Sequence, residues 1–101
     1  MSVEEWKTFY KNKAKEEYRT APYETVIYDQ EMGLFSFSVC PMGVFIGCVA
    51  TKNGEYWDTK VKEICKSLGL KHYYFTTRRN AAAFSRKYDY KFVGSLMRGD
   101  I

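Results

Sequence analysis

The amino-acid sequence predicts one domain spanning residues 1–101, of the α/β class with a mixed (α+β) sheet. Its expected order is an N-terminal helix, an antiparallel strand hairpin, then a β-α-β-α-β half. Three observations lead there. The run Val44-Phe45-Ile46-Gly47-Cys48-Val49-Ala50 has almost no polar interruption, as a strand covered on both faces requires. The hydrophobic period then turns helical and afterwards returns to strand-like, which implies a parallel, right-handed crossover. Upstream, an alternating segment follows a turn-like tetrapeptide, as in a hairpin.

Residues Ser2 to Tyr18 read as an amphipathic helix. Ser2 followed by Glu5 fits a capping box, in which each side chain satisfies a free backbone N–H of the first turn. Val3, Trp6, Phe9, Tyr10, Ala14 and Tyr18 fall near helical spacing between lysines and glutamates, so this stripe faces the core. Pro22 ends the region and biases the chain toward an extended path. Thr25–Asp29 is a short β-branched strand and Gln30-Glu31-Met32-Gly33 its turn. Leu34–Val39 returns, with Phe35, Phe37 and Val39 on one face and Ser36 and Ser38 on the other. Pro41-Met42-Gly43 punctuates the chain before the central strand. Lys52-Asn53-Gly54 is a turn, and Tyr56–Leu68 is helical, with Trp57, Val61, Ile64, Cys65 and Leu68 sharing one face. Gly69 stands where a left-handed C-cap belongs. His72–Thr76 is the next strand, Asn80 caps a short helix over Ala81–Tyr88, and Lys91–Met97 is the last strand.

With 46% hydrophobic and 18% aromatic residues, the chain can fill a core, which excludes bulk disorder. The acidic start Met1-Ser2-Val3-Glu4-Glu5-Trp6 lacks the apolar run of a signal peptide. The longest apolar stretch, Val39–Ala50, holds Pro41, Gly43 and Gly47 and is too short to span a bilayer. Cys40, Cys48 and Cys65 are odd in number and lack paired metal-ligand spacing. Buried free thiols in a reducing cytoplasm are therefore expected, with no membrane and no metal. The domain is small for a large cofactor, so an edge or cofactor face is open to completion by a second copy, as a homodimer, or by another protein. The charge is uneven: residues 1–59 carry six Lys/Arg against nine Asp/Glu, and residues 60–101 carry ten against three. A basic C-terminal half suits a phosphate-bearing ligand, nucleic acid or an acidic protein surface.

A strand, a glycine turn and a helix N-terminus can together bind phosphate, because free N–H groups and the helix dipole converge there. Thr51-Lys52-Asn53-Gly54-Glu55-Tyr56 occupies such a junction, although an ordinary turn explains it equally and Glu55 adds negative charge. Thr76-Thr77-Arg78-Arg79-Asn80 is a second candidate, at the carboxyl end of a strand, where ligands of open α/β sheets bind. Arg78 and Arg79 there either grip phosphates bidentately or face solvent. His72 is the lone histidine, beside Lys71 and with no acidic neighbour in sequence, which favours a structural role over a general base. Glu24, Asp29 and Glu31 gather around the hairpin without the spacing of a catalytic pair.

From Val44 to Met97 the order of elements resembles the C-terminal half of the GNAT acetyltransferase superfamily. Thr77-Arg78-Arg79-Asn80-Ala81-Ala82-Ala83-Phe84-Ser85-Arg86-Lys87-Tyr88-Asp89-Tyr90-Lys91 is similar to the asparagine-containing segment of its short phage and prophage members. The resemblance implies acetyl-coenzyme A in a cleft between the central strand and a splayed partner. Lys52, Asn53 and Gly54 would meet the pyrophosphate, Asn80 the pantetheine arm, and Arg78 and Arg79 further phosphates. An acceptor amine would attack the thioester directly, with strand N–H groups polarising the carbonyl.

Three positions depart from the family's pattern. Thr51 replaces its arginine or glutamine, Tyr56 its last small residue, and Ser85 the tyrosine that often protonates the leaving thiolate. A second reading therefore stands beside the first: the fold without catalysis, presenting a basic, aromatic surface to a host protein. Small phage-type proteins often inhibit host defence factors in this way, CRISPR effectors and nucleases among them. A third reading is nucleic-acid binding, with Tyr73, Tyr74, Phe84, Tyr88, Tyr90 and Phe92 interleaved among Lys71, Arg78, Arg79, Arg86, Lys87 and Lys91.

Overall fold

The structure, a computed structural model, describes residues 1–76, 91–93 and 96–101. Helix α1 spans Val3–Ala14. Its capping box forms as expected: the Glu5 N–H donates to Ser2 Oγ at 3.2 Å, and the Ser2 N–H donates to Glu5 Oε1 at 3.0 Å. The bond from the Ser2 backbone holds the Glu5 carboxyl below its ordinary pKa. The expected extension to Tyr18 does not occur. Lys15 turns left-handed at φ 62° and its N–H closes on Lys11 O. Lys11 Nζ then meets Glu17 at 2.8 Å, and Tyr10 donates to Glu16 at 3.4 Å, which folds the following segment back. Tyr18 is buried from that segment, edge-on to Tyr10 at 5.2 Å.

The strands are β1 (Thr25–Asp29), β2 (Gly33–Cys40), β3 (Gly43–Ala50), β4 (His72–Thr76), β5 (Lys91–Val93) and β6 (Leu96–Asp100), with helix α2 (Gly54–Leu68) between β3 and β4. They form one mixed sheet in the order β1-β2-β3-β4-β6-β5, antiparallel except for the β3–β4 pair. The β1–β2 hairpin turns where the sequence places it: Asp29 Oδ1 accepts the N–H groups of Glu31 and Met32 at 2.8 and 2.9 Å. The single last strand expected over Lys91–Met97 is instead two antiparallel strands, and β6 runs on to Asp100 between β4 and β5. Gly99 permits this, because the ring of its cross-strand partner Tyr73 lies where any Cβ at 99 would stand. The helix expected over Ala81–Tyr88 lies outside the described residues.

Each helix covers one face. Against α2 pack Phe35, Phe37, Val44, Trp57, Val61, Cys65 and Tyr73. Trp57 stacks on Phe35 at 5.1 Å with planes 4° apart. Against α1 pack Trp6, Tyr18, Leu34 and Ala50. Two expected core positions are open. Val39 is 50% exposed because this core ends at Phe37 and Val44. Leu68 is 52% exposed because Leu70 takes over beyond the left-handed cap at Gly69, its N–H bonded to Cys65 O at 2.9 Å. Among the described residues no helix is long and apolar enough to cross a membrane.

Candidate functional site

The site forms where β3 loses its regularity. Phe35 pairs with Val49, but Phe37 pairs with Ile46, so Gly47 and Cys48 together oppose Ser36 in a β-bulge. A bulge leaves backbone groups without ladder partners, and here Ser36 supplies them. Its buried hydroxyl accepts the Cys48 N–H at 2.9 Å and donates to the Cys48 carbonyl at 3.0 Å. The Tyr18 hydroxyl donates to the same carbonyl at 3.0 Å. Burial, with lesser contributions from Cys48 and Glu24, pushes the Tyr18 phenol up to about 12.

On its other edge β3 pairs with β4 in parallel through Val44–Tyr73 and Phe45–Tyr74. This ladder stops at Phe45, two residues before Gly47, although β3 continues to Ala50 and β4 to Thr76. Phe45 and Tyr74 stack at 4.9 Å. Above the bulge lies Glu24. The Ala21 N–H donates to its Oε1 at 2.6 Å, and a Cβ built at Gly47 would collide with its Oε2 and approach Ser36 Oγ to 2.8 Å.

Beyond Ala50 the structure brings Lys52, Asn53 and Gly54 together at the start of α2. Thr51 anchors the turn inward, donating to Met32 O at 2.6 Å and accepting the Asn53 N–H at 2.9 Å. The Asn53 side chain caps the helix through Tyr56 N at 3.2 Å. Gly54 is open, since a Cβ there would meet nothing within 4 Å. Lys52 Nζ stands 5.4 Å over the Phe9 ring. The Tyr56 ring lies edge-on to Trp57 at 4.9 Å with Lys60 Nζ 5.9 Å from its centre, so it packs along the helix flank. Arg78, Arg79 and Asn80 lie outside the described residues.

His72 does have an acidic partner: its Nδ1 is 2.7 Å from Asp100 Oδ1. Arg98 Nε lies 3.0 Å from the same oxygen, as an ion pair without the directed geometry of a hydrogen bond. The antiparallel β4–β6 register brings His72 and Asp100 together, and no local pattern in the sequence announces it. This group sits at the start of β4, at the end of the strand away from the α2 turn. Among the described residues no cluster of His, Cys, Asp or Glu is able to hold a metal ion. The three cysteines are free, and burial raises the Cys65 thiol pKa, so it is a packing group. Cys40 and Cys48 are only partly buried, contrary to the expectation for all three. Tyr73 and Tyr74 are core residues, which removes both rings from any base-stacking surface.

Fold and site together define an α+β domain whose mixed six-stranded sheet loosens at a bulge in β3, the strand that leads into the N-terminus of α2. No protein-family model matches the chain, and no curated protein matches it by sequence. Among solved structures it is similar to the anti-CRISPR protein AcrVA5, with a TM-score of 0.58 and 20% identity over 76% of this chain and 98% of that one. At that identity the likeness is one of fold.

Proposed function

We propose that this protein is a phage-type inhibitor that binds a protein of its host's CRISPR defence. The observation that carries this reading is the fold shared with an anti-CRISPR protein, nearly all of whose chain is covered. The test is expression in bacteria with active CRISPR immunity, challenged by a targeted phage. Restored plaquing on the immune strain, with no change on a strain lacking the CRISPR effector, is the expected result. Failure to restore plaquing across a panel of CRISPR types would overturn the reading.

A second reading, an acetyltransferase-related protein that uses acetyl-coenzyme A, is supported by the bulge in β3, its short ladder with β4 and the open turn at Gly54. The residues present fit such a group at the turn: Lys52 brings a cation and Gly54 leaves the backbone approachable. Tyr56, which stands where the family's pattern has a small residue, packs along the flank of α2 against Trp57. Acetyl-coenzyme A would supply an activated acyl thioester. Calorimetric titration, with desulfo- and dephospho-coenzyme A as controls, tests this reading. Saturable binding near or below about 100 μM, roughly −5.5 kcal/mol, would support it. No heat at high ligand would remove it and leave the inhibitor reading standing alone.

A further inference from the structure

We propose that the free edge of β1, with the turn that leads into it, docks a basic, extended segment of a host protein, which joins the sheet as an added strand. The inference rests on the inhibitor reading and names the partner chemistry that reading lacks. Among the described residues β1 pairs only with β2, so alternate N–H and C=O groups of Thr25–Asp29 point out of the sheet. Proteins ordinarily blunt such an edge with lysine, proline or a bulge. β1 reads Thr-Val-Ile-Tyr-Asp and pairs with β2 residue for residue, so it has none of these. Its open face is apolar as well. Helix α1 packs over Leu34 and Ala50, further into the sheet, and leaves Val26 and Tyr28 exposed on the same side. The Tyr28 hydroxyl donates to Met1 O at 2.7 Å, which fixes its ring.

Ahead of the strand, Ala21-Pro22-Tyr23-Glu24 is a turn closed twice. The Glu24 N–H donates to Ala21 O at 3.0 Å, and the Ala21 N–H donates to Glu24 Oε1 at 2.6 Å. Pro22 presets the backbone of that turn, and Tyr23 stands at its tip, 77% exposed. A rigidly presented aromatic ring loses little entropy on docking and anchors an interface. Charge then selects the partner. Between Arg19 and Lys52 the chain carries Glu24, Asp29 and Glu31 and no Lys or Arg. Among the described residues neither Glu24 nor Asp29 forms an ion pair. The Met1 ammonium, on Gln30 O at 2.8 Å, and Lys52 share a surface cavity with Glu31, beyond the end of β1 away from Tyr23. Carboxylates beside a bare edge favour a strand bearing lysine or arginine. Effectors that hold guide and target nucleic acids in positively charged channels carry such segments. A second copy fits less well, because β1 paired with itself about Ile27 gathers both sets of carboxylates at one seam.

The experiment titrates the full chain with acetyl-Lys-Val-Lys-Val-Lys-Val-amide and, separately, with its glutamate counterpart, following the amide signals of residues 23–29 by NMR. The lysine peptide should shift those signals, salt should weaken its binding, and the glutamate peptide should leave them unchanged. In the phage challenge, Val26→Lys and Tyr23→Ala should each lower plaquing on the immune strain about tenfold or more. Both positions are exposed, so both variants should keep the wild-type midpoint in urea. No shift at millimolar lysine peptide, equal shifts by both peptides, or a dimer that hides β1 overturns the inference. Undiminished plaquing with both variants also overturns it and leaves the inhibitor reading intact. Shifts by the lysine peptide without restored plaquing by the wild type overturn the inhibitor reading and keep β1 as a receptor for basic strands.

Discussion

The two faces of the sheet are built on different principles. The α2 face is apolar and aromatic: Trp57 lies flat on Phe35, and its indole N–H reaches Met32 O at 2.9 Å. The α1 face carries a smaller core, and beside it the Ser36, Cys48, Tyr18 and Glu24 groups surround a bulge. Burying polar groups costs stability unless every one is partnered, so a face that retains them serves a purpose other than packing. The difference teaches that one helix supplies stability while the opposite face carries the specialised geometry.

The sharpest way to break that comparison is to remove each helix's tryptophan. Trp57→Ala should cost about 3–5 kcal/mol in urea unfolding, and Trp6→Ala should fall at or below the lower end of that range. Trp6 sits in the smaller cluster with its ring edge-on to Phe9 at 5.5 Å, and its N–H bond to Gln30 O is a long 3.3 Å. Equal losses would abolish the distinction. Next in size is Ser36→Ala, expected to cost about 1–3 kcal/mol because the Cys48 N–H loses its partner in a buried place. A near-neutral result would mean the bulge is solvated.

Alkaline pH sharpens the polar side further. Tyr18 has a folded pKa of about 12 against an ordinary value of 10.0. Its contribution to stability is therefore complete below pH ~10 and is lost as the pH rises toward ~12. Tyrosinate absorbance near 295 nm should show this phenol titrating late, and Tyr18→Phe should flatten the loss of stability in that window. The smallest effect is expected from Gly54→Ala. No atom opposes the new methyl, and a helical position should gain about 0.5 kcal/mol. Gly99→Ala is its counterpart, expected to cost about 1–3 kcal/mol against the Tyr73 ring.

Where a local rule governs, the sequence was sufficient. The Ser2–Glu5 box, the Asp29 turn, the Gly69 cap and both ends of β4 follow from neighbouring residues. Elements decided by distant partners were not legible. His72 acquires Asp100 only through β4–β6 pairing, and Tyr18 is buried by a chain reversal rather than by helical spacing. Two signals were present and unused. In sequence, the dipeptide Gly94-Ser95 is a hairpin signal between the segments that form β5 and β6. An isolated glycine such as Gly47 within an apolar strand marks a bulge. At the turn, Lys52, Asn53 and Gly54 are candidates that the strand–helix junction announces in the sequence, whereas Glu24 meets the bulge only through folding.

The extra residue in β3 gives that strand two reading frames. Before Gly47 the residues turned toward α2 are Val44 and Ile46, and after it Val49 takes that side while Cys48 and Ala50 point toward α1. Removing one residue here would leave Val49 toward α2 and Cys48 and Ala50 toward α1, turning the strand into a regular ladder with Ser36 opposite a single residue. The core therefore has no need of the extra residue: a one-residue deletion at this point should spare the packing on both faces while erasing the bulge that Ser36 bridges.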